Sequence, residues 1–353
     1  MRYSVIIPAY NAALSLERAV RSVSDFASDG DYEILVIDDG SRDGTAALLE
    51  ELSQRIPALR SFYRENAGPA AARNFGISQA RGECLLFLDA DDAFTPNGAE
   101  EAVKLWKNSR ASVLIFGYYL TQGAESVPYH DQNCRLETAA DWSAHLSRLY
   151  RLNMLNQVWG KVFETALLKE KAISFPDLFW GEDRLFFFRV LEEAKAVAVT
   201  SACFYDYIQQ ENSLISRFLP DKCATCEEIH RSILSLAEKK EGAAPAGEGV
   251  YSYMYVKSLL SAFATLFSPR CPLKRKEKIL YIRKALAQES LQRLAPFPQD
   301  AGLSFRIPAF PVRRGWAWGT YLVSRGIHTV SALAPSVFRR AKHAYNQNKG
   351  EKE

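Results

Sequence analysis

Two clusters of aspartates in this chain have types and spacing that suit catalysis. The segment Leu88-Asp89-Ala90-Asp91-Asp92 follows an apolar run and separates two carboxylates by one residue. Such a pair can bind one divalent cation, because its oxygen ligands suit Mg²⁺ or Mn²⁺ and leave room for phosphate oxygens. Aspartates are also common in hydrated loops, so the cluster alone leaves a metal site and a surface turn open.

The second cluster, Asp38-Asp39-Gly40-Ser41, follows an earlier apolar run. A carboxylate can accept a hydrogen bond from a nucleobase or from ribose hydroxyls, and Gly40 lets the backbone approach a ligand closely. A turn that caps a helix would use the same residues, and both roles are compatible. Open α/β sheets bind ligands at the carboxyl ends of their strands. We therefore expect both clusters at one edge of a sheet.

The elements that must position these clusters alternate between short apolar runs and amphipathic segments. This alternation predicts an α/β domain with a mainly parallel sheet flanked by helices. Polar residues 123–135 are predicted to form a surface loop before a helix over 138–151. The other predicted strands and helices are strands 3–8, 33–38, 59–63, 83–88 and 112–118, and helices 14–26, 45–55 and 69–80.

Five motifs occur in order along the chain: Val5-Ile-Ile-Pro-Ala-Tyr-Asn11, Asp38-Asp-Gly-Ser41, Asn66-Ala-Gly-Pro-Ala-Ala-Ala-Arg-Asn74, Asp89-Ala-Asp91 and Trp180-Gly-Glu-Asp183. Their order and spacing resemble the family 2 glycosyltransferases. The resemblance implies a GT-A-type catalytic domain over residues 1–220. It does not extend further, and charge and sequence pattern predict a helical, basic region over 221–353. The same resemblance implies a metal-dependent, inverting transfer from a nucleotide-sugar, as in bacterial capsule, exopolysaccharide or lipid-linked glycan synthesis.

The resemblance also implies roles for single residues. Asp91 would be the chief metal-contacting carboxylate, Asp89 would lie near the ribose or the metal, and the role of Asp92 stays open. Either Asp38 or Asp39 would contact the base. UDP is the favoured nucleotide, with GDP and dTDP left open, and the metal would be Mn²⁺ or Mg²⁺. The other residues expected beside the nucleotide are Pro8, Ala9, Tyr10, Asn11 and Arg73.

The Trp180-Gly-Glu-Asp183 motif carries the predicted catalytic base. An acceptor hydroxyl must lose a proton as it attacks, which calls for a carboxylate on the face of the sugar opposite the leaving group. We predict that Asp183 is this base and that Glu182 contacts the acceptor or the start of a helix. Trp159, Phe179 and Trp180 flank the predicted base and suit either acceptor stacking or core packing.

Two further features are candidates for contact with the diphosphate. Lys161 suits either a phosphate contact or a solvated position on a strand. Residues 205–217 loosely resemble a segment that closes over the diphosphate in some members of the family. Within it, Ser213, Ser216 and Arg217 are candidate donors to phosphate, and an ordinary polar connector is the alternative.

The C-terminal part of the chain is far more basic than the rest. From Arg270 onward there are 17 Lys and Arg against 5 Asp and Glu, net +12, which leaves −9 for residues 1–269. Such a region suggests an anionic partner surface. Polar interruptions make residues 316–338 unsuited to span a bilayer, so they suit an interfacial helix or a helix docked on the protein's own core. A homodimer contact is another use of this region, and the proline-rich residues 296–311 are predicted to interrupt its helices.

Composition and cysteine usage indicate a folded cytoplasmic protein. Hydrophobic residues make up 48% of the chain and charged residues 24%, as in ordinary globular proteins. The N-terminus enters an apolar strand without a secretory signal, and six scattered cysteines suit a reducing compartment. Cys223, Cys226 and His230 have ligand-like spacing, but three such groups on one helix are typical of packing. We predict a cytoplasmic location, with peripheral contact to the inner membrane face left open.

The predicted function is transfer of one hexose or N-acetylhexosamine from a UDP-sugar to a hydroxyl of a surface-glycan or lipid-linked acceptor. The Gln-x-x-Arg-Trp motif of processive synthases is missing from the sequence, which favours one sugar per encounter. The alternative is a non-catalytic scaffold that binds nucleotide-sugars, which would have no need for both Asp91 and Asp183. No nucleic-acid-binding module accompanies the basic region, so nucleic acid is not an expected partner.

Overall fold

The computed structural model of the chain describes residues 3–27, 31–209 and 218–333. The chain divides into two compact units. The first unit comprises Met1–Trp142 and Asn153–Glu211, and the second comprises Ser143–Leu152 and Asn212–Glu353.

The first unit is built on one mixed sheet, in which the described residues form ten strands. Apolar residues along the central strands are buried on both faces of the sheet, which is typical of an α/β core. The strands are β1 (Tyr3–Ala9), β2 (Tyr32–Asp38), β3 (Leu59–Tyr63), β4 (Cys84–Phe87), β5 (Ala93–Phe94), β6 (Val113–Gln122), β7 (Glu125–Tyr129), β8 (Cys134–Leu136), β9 (Lys161–Glu164) and β10 (Val197–Ile208).

The strand order brings the acidic clusters to one edge. The main path is β3-β2-β1-β4-β9-β6-β10-β5, with β7 beside β6 and β8 beside β10. Strands β1 to β4 pair in parallel, as do β6 and β10, whereas β5, β7, β8 and β9 pair antiparallel. Ala9 is in register with Asp38, and Ile6 with Phe87, so β1, β2 and β4 end side by side. The predicted α/β class is confirmed, and the clusters follow strands at a shared edge.

Helices cover both faces of this sheet. Gly76 shows how closely α3 packs on it, because a Cβ atom there would lie 2.4 Å from Ile6 Cγ2. Pro69 occupies the first turn of α3, where its missing N–H leaves no hydrogen bond unmade. The helices that begin in the first unit are α1 (Leu16–Ser24), α2 (Thr45–Arg55), α3 (Pro69–Gln79), α4 (Gly98–Ser109), α5 (Ala139–Arg151), α6 (Thr165–Glu170) and α7 (Glu182–Glu193).

The prediction of a surface loop over residues 123–135 is wrong. Strand β7 pairs antiparallel with β6 around a turn at Gly123, whose φ of 60° suits glycine, and β8 pairs with β10. Tyr118 and Tyr129 stack across the hairpin with ring centroids 5.3 Å apart. Residues of β7 are exposed or half-buried, so the apolar alternation that would have predicted a strand is missing.

The second unit is helical, and its proline-rich segment contains a helix that the sequence pattern did not predict. Pro308 and Pro311 lie inside α12, although an interior proline removes a backbone hydrogen bond. Phe305 packs its ring 4.3 Å from that of Tyr253 and 5.2 Å from that of Phe297, and this burial offsets the lost bonds. Beyond α5, the helices are α8 (Lys222–Glu241), α9 (Glu248–Ala264), α10 (Arg275–Leu286), α11 (Glu289–Gln292), α12 (Leu303–Arg313) and α13 (Ala317–Leu333).

Helix α13 contains most of the apolar segment for which two interpretations were open. One face docks on the protein, because Tyr321 and Ser324 are buried and the Tyr321 ring lies 5.1 Å from that of Phe267. Trp318 and Leu322, on another face, are exposed. Within the described parts of the chain, no helix is both long and apolar enough to cross a bilayer.

Candidate active site

Hydrogen bonds tie the loop after β1 to the loop after β2. The Asn11 backbone N–H donates to Ser41 Oγ at 2.9 Å, and the Arg42 N–H donates to Asn11 Oδ1 at 2.8 Å. Asn11 has a φ of 50°, in the left-handed region that asparagine tolerates. Tyr10 is 52% exposed. Residues 8–11, predicted beside the nucleoside, therefore lie at the carboxyl end of β1, where the Tyr10 ring is exposed to solvent.

Asp38 and Asp39 are both buried, and both organise backbone around them. Asp38 Oδ1 accepts a hydrogen bond from the Ser41 N–H at 2.9 Å, which is the turn expected for this motif. Asp39 Oδ2 accepts from the Gly68 N–H at 2.7 Å, and Asp39 Oδ1 from the Ala67 N–H at 3.1 Å. Asp39 thereby holds the loop that leads into α3. Contact between either aspartate and the nucleobase stays a prediction.

Arg73 on α3 joins three carboxylates from two distant motifs. Its Nη2 donates to Asp89 Oδ1 at 3.0 Å, and its Nη1 donates to Asp183 Oδ1 at 3.0 Å and lies 3.5 Å from Glu182 Oε1. Arg73 is only 5% exposed, and its guanidinium carbon lies 5.6 Å from the centre of the Phe175 ring. The family resemblance implied a position for Arg73 beside the nucleotide, and the fold adds a direct hydrogen bond to Asp183, the predicted general base.

Burial and charge act in opposite directions on this cluster. Burial disfavours the charged guanidinium, but Asp183, Asp89 and Glu182 hold the pKa of Arg73 above its ordinary value. For Asp183 burial is the larger effect and raises its pKa to about 7, although Arg73 opposes the shift. Burial also raises the pKa of Glu182. A carboxyl group with a pKa near neutrality is well suited to general base catalysis.

Helix α7 presents Asp183 to the cluster. The helix begins at Glu182, after Gly181 with a φ of 85°, so Asp183 lies in its first turn. The positive end of the helix dipole favours a carboxylate there. Phe186, one turn further, stacks on Phe175 with centroids 3.9 Å apart, which anchors the helix against the core.

Asp92 has a structural role that its motif did not reveal. It is 1% exposed, and its Oδ2 accepts the Tyr205 hydroxyl at 2.7 Å while its Oδ1 accepts the Ile208 N–H at 2.9 Å. The Asp89 N–H in turn donates to Tyr205 Oη at 3.2 Å. Asp92 therefore fastens β10 to the Asp89–Asp92 turn.

Asp91 is the member of the cluster whose carboxylate is available to a ligand. Its backbone oxygen accepts Arg18 Nη2 at 2.5 Å, whereas its carboxylate makes no hydrogen bond to another described residue. Burial and the charge of Asp89 raise the pKa of Asp91. A divalent cation would relieve this repulsion.

Asp89 and Asp91 fit a metal site in which the protein supplies only one or two of the ligands. Mg²⁺ and Mn²⁺ commonly bind one or two protein carboxylates and complete their shell with substrate phosphates and water. No group of three or more His, Cys, Asp and Glu able to hold a metal occurs in the described parts of the chain. Two carboxylates that leave positions open for phosphate and water are a donor set that fits Mg²⁺ or Mn²⁺.

Lys161 is a buried amine close to the proposed base, and the sequence did not predict its burial. It is 1% exposed, its Nζ donates to the Trp159 carbonyl at 3.2 Å, and it lies 4.7 Å from the centre of the Phe187 ring. Burial lowers the pKa of Lys161 to about 7, while the charge of Asp183 opposes the shift. The alternative of a solvated strand residue is therefore wrong.

The aromatic residues near the base motif separate into core and surface. Trp159 is 8% exposed and stacks on Tyr205 at 4.6 Å, so its role is packing. Phe179 is 85% exposed, three residues before the helix that carries Asp183. Arg184 lies 5.6 Å from the Trp180 ring centre. Phe179 is therefore the most exposed of the three aromatic side chains, while Trp180 is half-buried.

Two further sets of candidate groups remain, one outside the described residues and one on α8. Ser213, Ser216 and Arg217 lie outside the described residues. Cys223 and His230 are buried on α8 with Cys226, and the His230 ring stacks on Tyr255 with centroids 4.4 Å apart. These contacts favour packing over zinc binding.

Comparison with known families decides the class of protein. The model of the family described as glycosyl transferase family 2 matches residues 4–174. Residues 4–174 therefore form a glycosyl transferase family 2 domain. The matched residues of this glycosyltransferase include the loops of Asn11 and Asp39, Arg73 and the Asp89–Asp92 turn, and they end before Asp183.

Two relatives illustrate which glycosyltransferases the chain resembles. It is 31% identical over 212 residues to the poly(ribitol-phosphate) β-N-acetylglucosaminyltransferase TarS of Staphylococcus aureus, which covers 59% of this chain and 35% of TarS. It is 24% identical over 305 residues to the uncharacterized glycosyltransferase EpsJ of Bacillus subtilis, which covers 84% of this chain and 88% of EpsJ. The chain thus spans about a third of the length of TarS.

The fold is shared with a solved family member over nearly the whole chain. The crystal structure of S. aureus TarS 1–349 in complex with UDP-GlcNAc matches with a TM-score of 0.67 and 22% identity, covering 93% of this chain and 92% of that one. At this identity the likeness concerns the fold alone. It confirms the expected GT-A-type fold with a helical C-terminal region.

Proposed function

We propose that this family 2 glycosyltransferase is an inverting enzyme that transfers one sugar from a UDP-sugar to a hydroxyl of a surface-glycan or lipid-linked acceptor. The observation that carries the proposal is the pair of hydrogen bonds that Arg73 donates to Asp89 and to Asp183, each at 3.0 Å. Asp89 belongs to the donor-side acidic cluster and Asp183 to the base motif. The Arg73 guanidinium therefore joins the carboxylate proposed to lie beside the donor to the carboxylate proposed to accept the proton.

Asp183 acts as the general base in this proposal. The acceptor oxygen bonds to the anomeric carbon while the bond from that carbon to the diphosphate oxygen breaks, and the acceptor proton passes to the Asp183 carboxylate. Attack opposite the departing diphosphate inverts the configuration. Arg73 orients the base through its 3.0 Å hydrogen bond and favours the charged carboxylate before proton transfer.

The donor lies along the sheet edge in this proposal. Asp91 and Asp89 would hold Mn²⁺ or Mg²⁺, which as a Lewis acid neutralises charge on the departing diphosphate. Either Asp38 or Asp39 would contact the nucleobase. The residues that would line the rest of the nucleoside site are Pro8, Ala9, Tyr10 and Asn11. Their support is their common position at the ends of β1, β2 and β4.

The relatives support the choice of donor and acceptor class. TarS is named as an N-acetylglucosaminyltransferase acting on poly(ribitol-phosphate), and its structure contains UDP-GlcNAc. Another relative, GgaA of Bacillus subtilis, is named as a minor teichoic acid biosynthesis protein. We therefore propose a UDP-linked N-acetylhexosamine as the first donor to test and a cell-surface polymer or its lipid-linked precursor as the acceptor.

The location and the wider partners follow from the same proposal. Nucleotide-sugars are cytoplasmic substrates, so we propose a cytoplasmic enzyme whose C-terminal region makes peripheral contact with the membrane. Self-association as a homodimer is the alternative use of that region.

The test is a panel of UDP-, GDP- and dTDP-sugars, each with Mn²⁺ or Mg²⁺ and with ribitol-phosphate or glycan acceptors. Wild type, Asp91→Ala and Asp183→Asn are compared for nucleotide release and sugar transfer. We expect metal-dependent turnover with a UDP-sugar, lost in both variants. Glu182→Gln serves as the matched control, because this neighbouring carboxylate is not assigned the proton.

Two outcomes contradict the proposal. Tight nucleotide-sugar binding without turnover under all conditions would favour the non-catalytic scaffold. Full turnover by Asp183→Asn would show that another group takes the proton.

A further inference from the structure

Large exposed apolar side chains are concentrated in α12, in α13 and in the turn between them. Elsewhere in the described part of the second unit, Leu280 on α10 is comparably exposed, at 50%. The exposed side chains of this segment, here named the α12–α13 surface, are Leu303 (72%), Ile307 (67%), Phe310 (55%), Trp316 (56%), Trp318 (43%), Leu322 (57%) and Val330 (54%).

On α12 the exposed residues form a stripe. Leu303, Ile307 and Phe310 are spaced by four and three residues, so they share one helix face. Phe305 and Ala309 lie on another face and are buried. Helix α12 is therefore apolar on two sides, one of which packs on the protein and one of which faces outward.

Arginines accompany the exposed apolar side chains. The guanidinium of Arg314 lies 5.6 Å from the centre of the Phe310 ring, and that of Arg275 lies 4.9 Å from the Trp318 ring. Arg325 is exposed on α13. Between residues 293 and 330 the sequence has a single acidic residue, Asp300, and this residue pairs with Arg151.

We propose that the α12–α13 surface docks on an anionic lipid bilayer, with α12 lying in the plane of the interface. Helices that bind such interfaces combine an apolar face that enters the boundary between headgroups and acyl chains with basic residues that contact anionic headgroups. Tryptophan is enriched at the same depth. The net charge of +12 from Arg270 onward makes the region complementary to anionic lipid.

This inference deepens the proposed function and rests on it, because it assigns a surface to the membrane contact. An enzyme that uses a lipid-linked acceptor gains from being held at the bilayer, where the acceptor is confined. The inference also assigns a role to a helix formed by the proline-rich segment, for which sequence patterns predicted only an interruption.

The test is co-sedimentation of the full chain with vesicles of phosphatidylcholine alone or mixed with phosphatidylglycerol. We expect binding to the anionic vesicles, reduced about tenfold or more in the variant Leu303→Ser/Ile307→Ser/Phe310→Ser. Arg313→Gln/Arg314→Gln is expected to weaken the dependence on phosphatidylglycerol. Leu280→Ser is the matched control, since it removes a comparably exposed apolar side chain outside the surface and is expected to bind as wild type does.

Three results would overturn the inference: wild type that ignores anionic vesicles, a triple variant that binds as tightly as wild type, or a dimer in solution that the triple variant dissociates. The last result would identify a second copy as the occupant. Turnover with a soluble acceptor, measured on the same preparations, separates the two proposals. Wild type that binds anionic vesicles but does not turn over counts against the proposed function. Wild type that turns over but does not bind the vesicles counts against this surface.

Discussion

The first unit buries a cluster of charged side chains, whereas α12 and α13 of the second unit expose a set of apolar ones. Arg73, Lys161 and Asp92 are each at most 5% exposed, while Leu303 and Ile307 are each more than 65% exposed. Both arrangements run against the ordinary partition of residues between core and surface. In the first unit the buried charges are close enough to shift one another's pKa values, which suits proton transfer. In the second unit the exposed apolar residues leave a surface that water solvates poorly, which suits docking.

The strongest challenge to this comparison is Asp183→Asn. If the buried cluster performs proton transfer, kcat/KM should fall about 10³-fold, within the range measured for removal of a general base. Glu182→Gln, which alters the adjacent buried carboxylate, should reduce kcat/KM far less. Steady-state kinetics with the preferred donor measures kcat/KM for both variants. Equal losses would contradict the assignment of Asp183 as the base, because either buried carboxylate would then matter to the same extent.

Arg73→Gln should produce the next largest effect, on stability. The substitution leaves Asp89, Glu182 and Asp183 facing one another without their shared cation, and breaking a buried ion pair in this way costs about 3 kcal/mol or more. Urea unfolding near neutral pH measures the loss. Arg325→Gln, at an exposed position of the second unit, is the control and should change the free energy of unfolding by less than about 0.5 kcal/mol. Similar values for the two variants would remove the distinction between the units.

Lys161→Met should change the pH dependence of catalysis more than stability. The activity of wild type should rise with pH as Asp183 loses its proton, and burial places that pKa at about 7. The positive charge of Lys161 lowers the pKa of Asp183, so its removal should move the acidic limb to higher pH and reduce kcat/KM severalfold below neutrality. A profile of kcat/KM from about pH 5 to pH 9 tests this. An unmoved limb would limit Lys161 to packing.

Ile307→Ser should produce the smallest effect on stability. The side chain is 67% exposed, so its replacement should change the free energy of unfolding by less than about 0.5 kcal/mol. Ile6→Ala, in the first unit, removes a fully buried side chain and should lose about 2–5 kcal/mol. Thermal or urea unfolding compares them. A large loss for Ile307→Ser would show that this stripe is covered in solution by another part of the protein.

Local sequence patterns predicted the strands and helices of the first unit wherever a single segment carried the hydrophobic period of its element. The spacing of apolar runs predicted β2, β3 and α2 to within a residue, because a buried strand and an amphipathic helix each leave a period in the sequence. The β6–β7 hairpin was missed because its exposed residues leave no such period. Helix α12 was missed because two prolines outweigh helix signals locally, although burial of Phe305 keeps the segment helical.

The amino-acid sequence by itself determined the α/β class and the family, because ordered motifs and strand spacing are properties of short segments. The meeting of Arg73 with Asp89 and Asp183, 16 and 110 residues away along the chain, was decided only by the tertiary structure. So were the burial of Lys161, the fastening of Asp92 to Tyr205 and the exposed stripe of α12. Each depends on which face of one element packs against another, and that choice is a property of the packed chain that no single segment encodes.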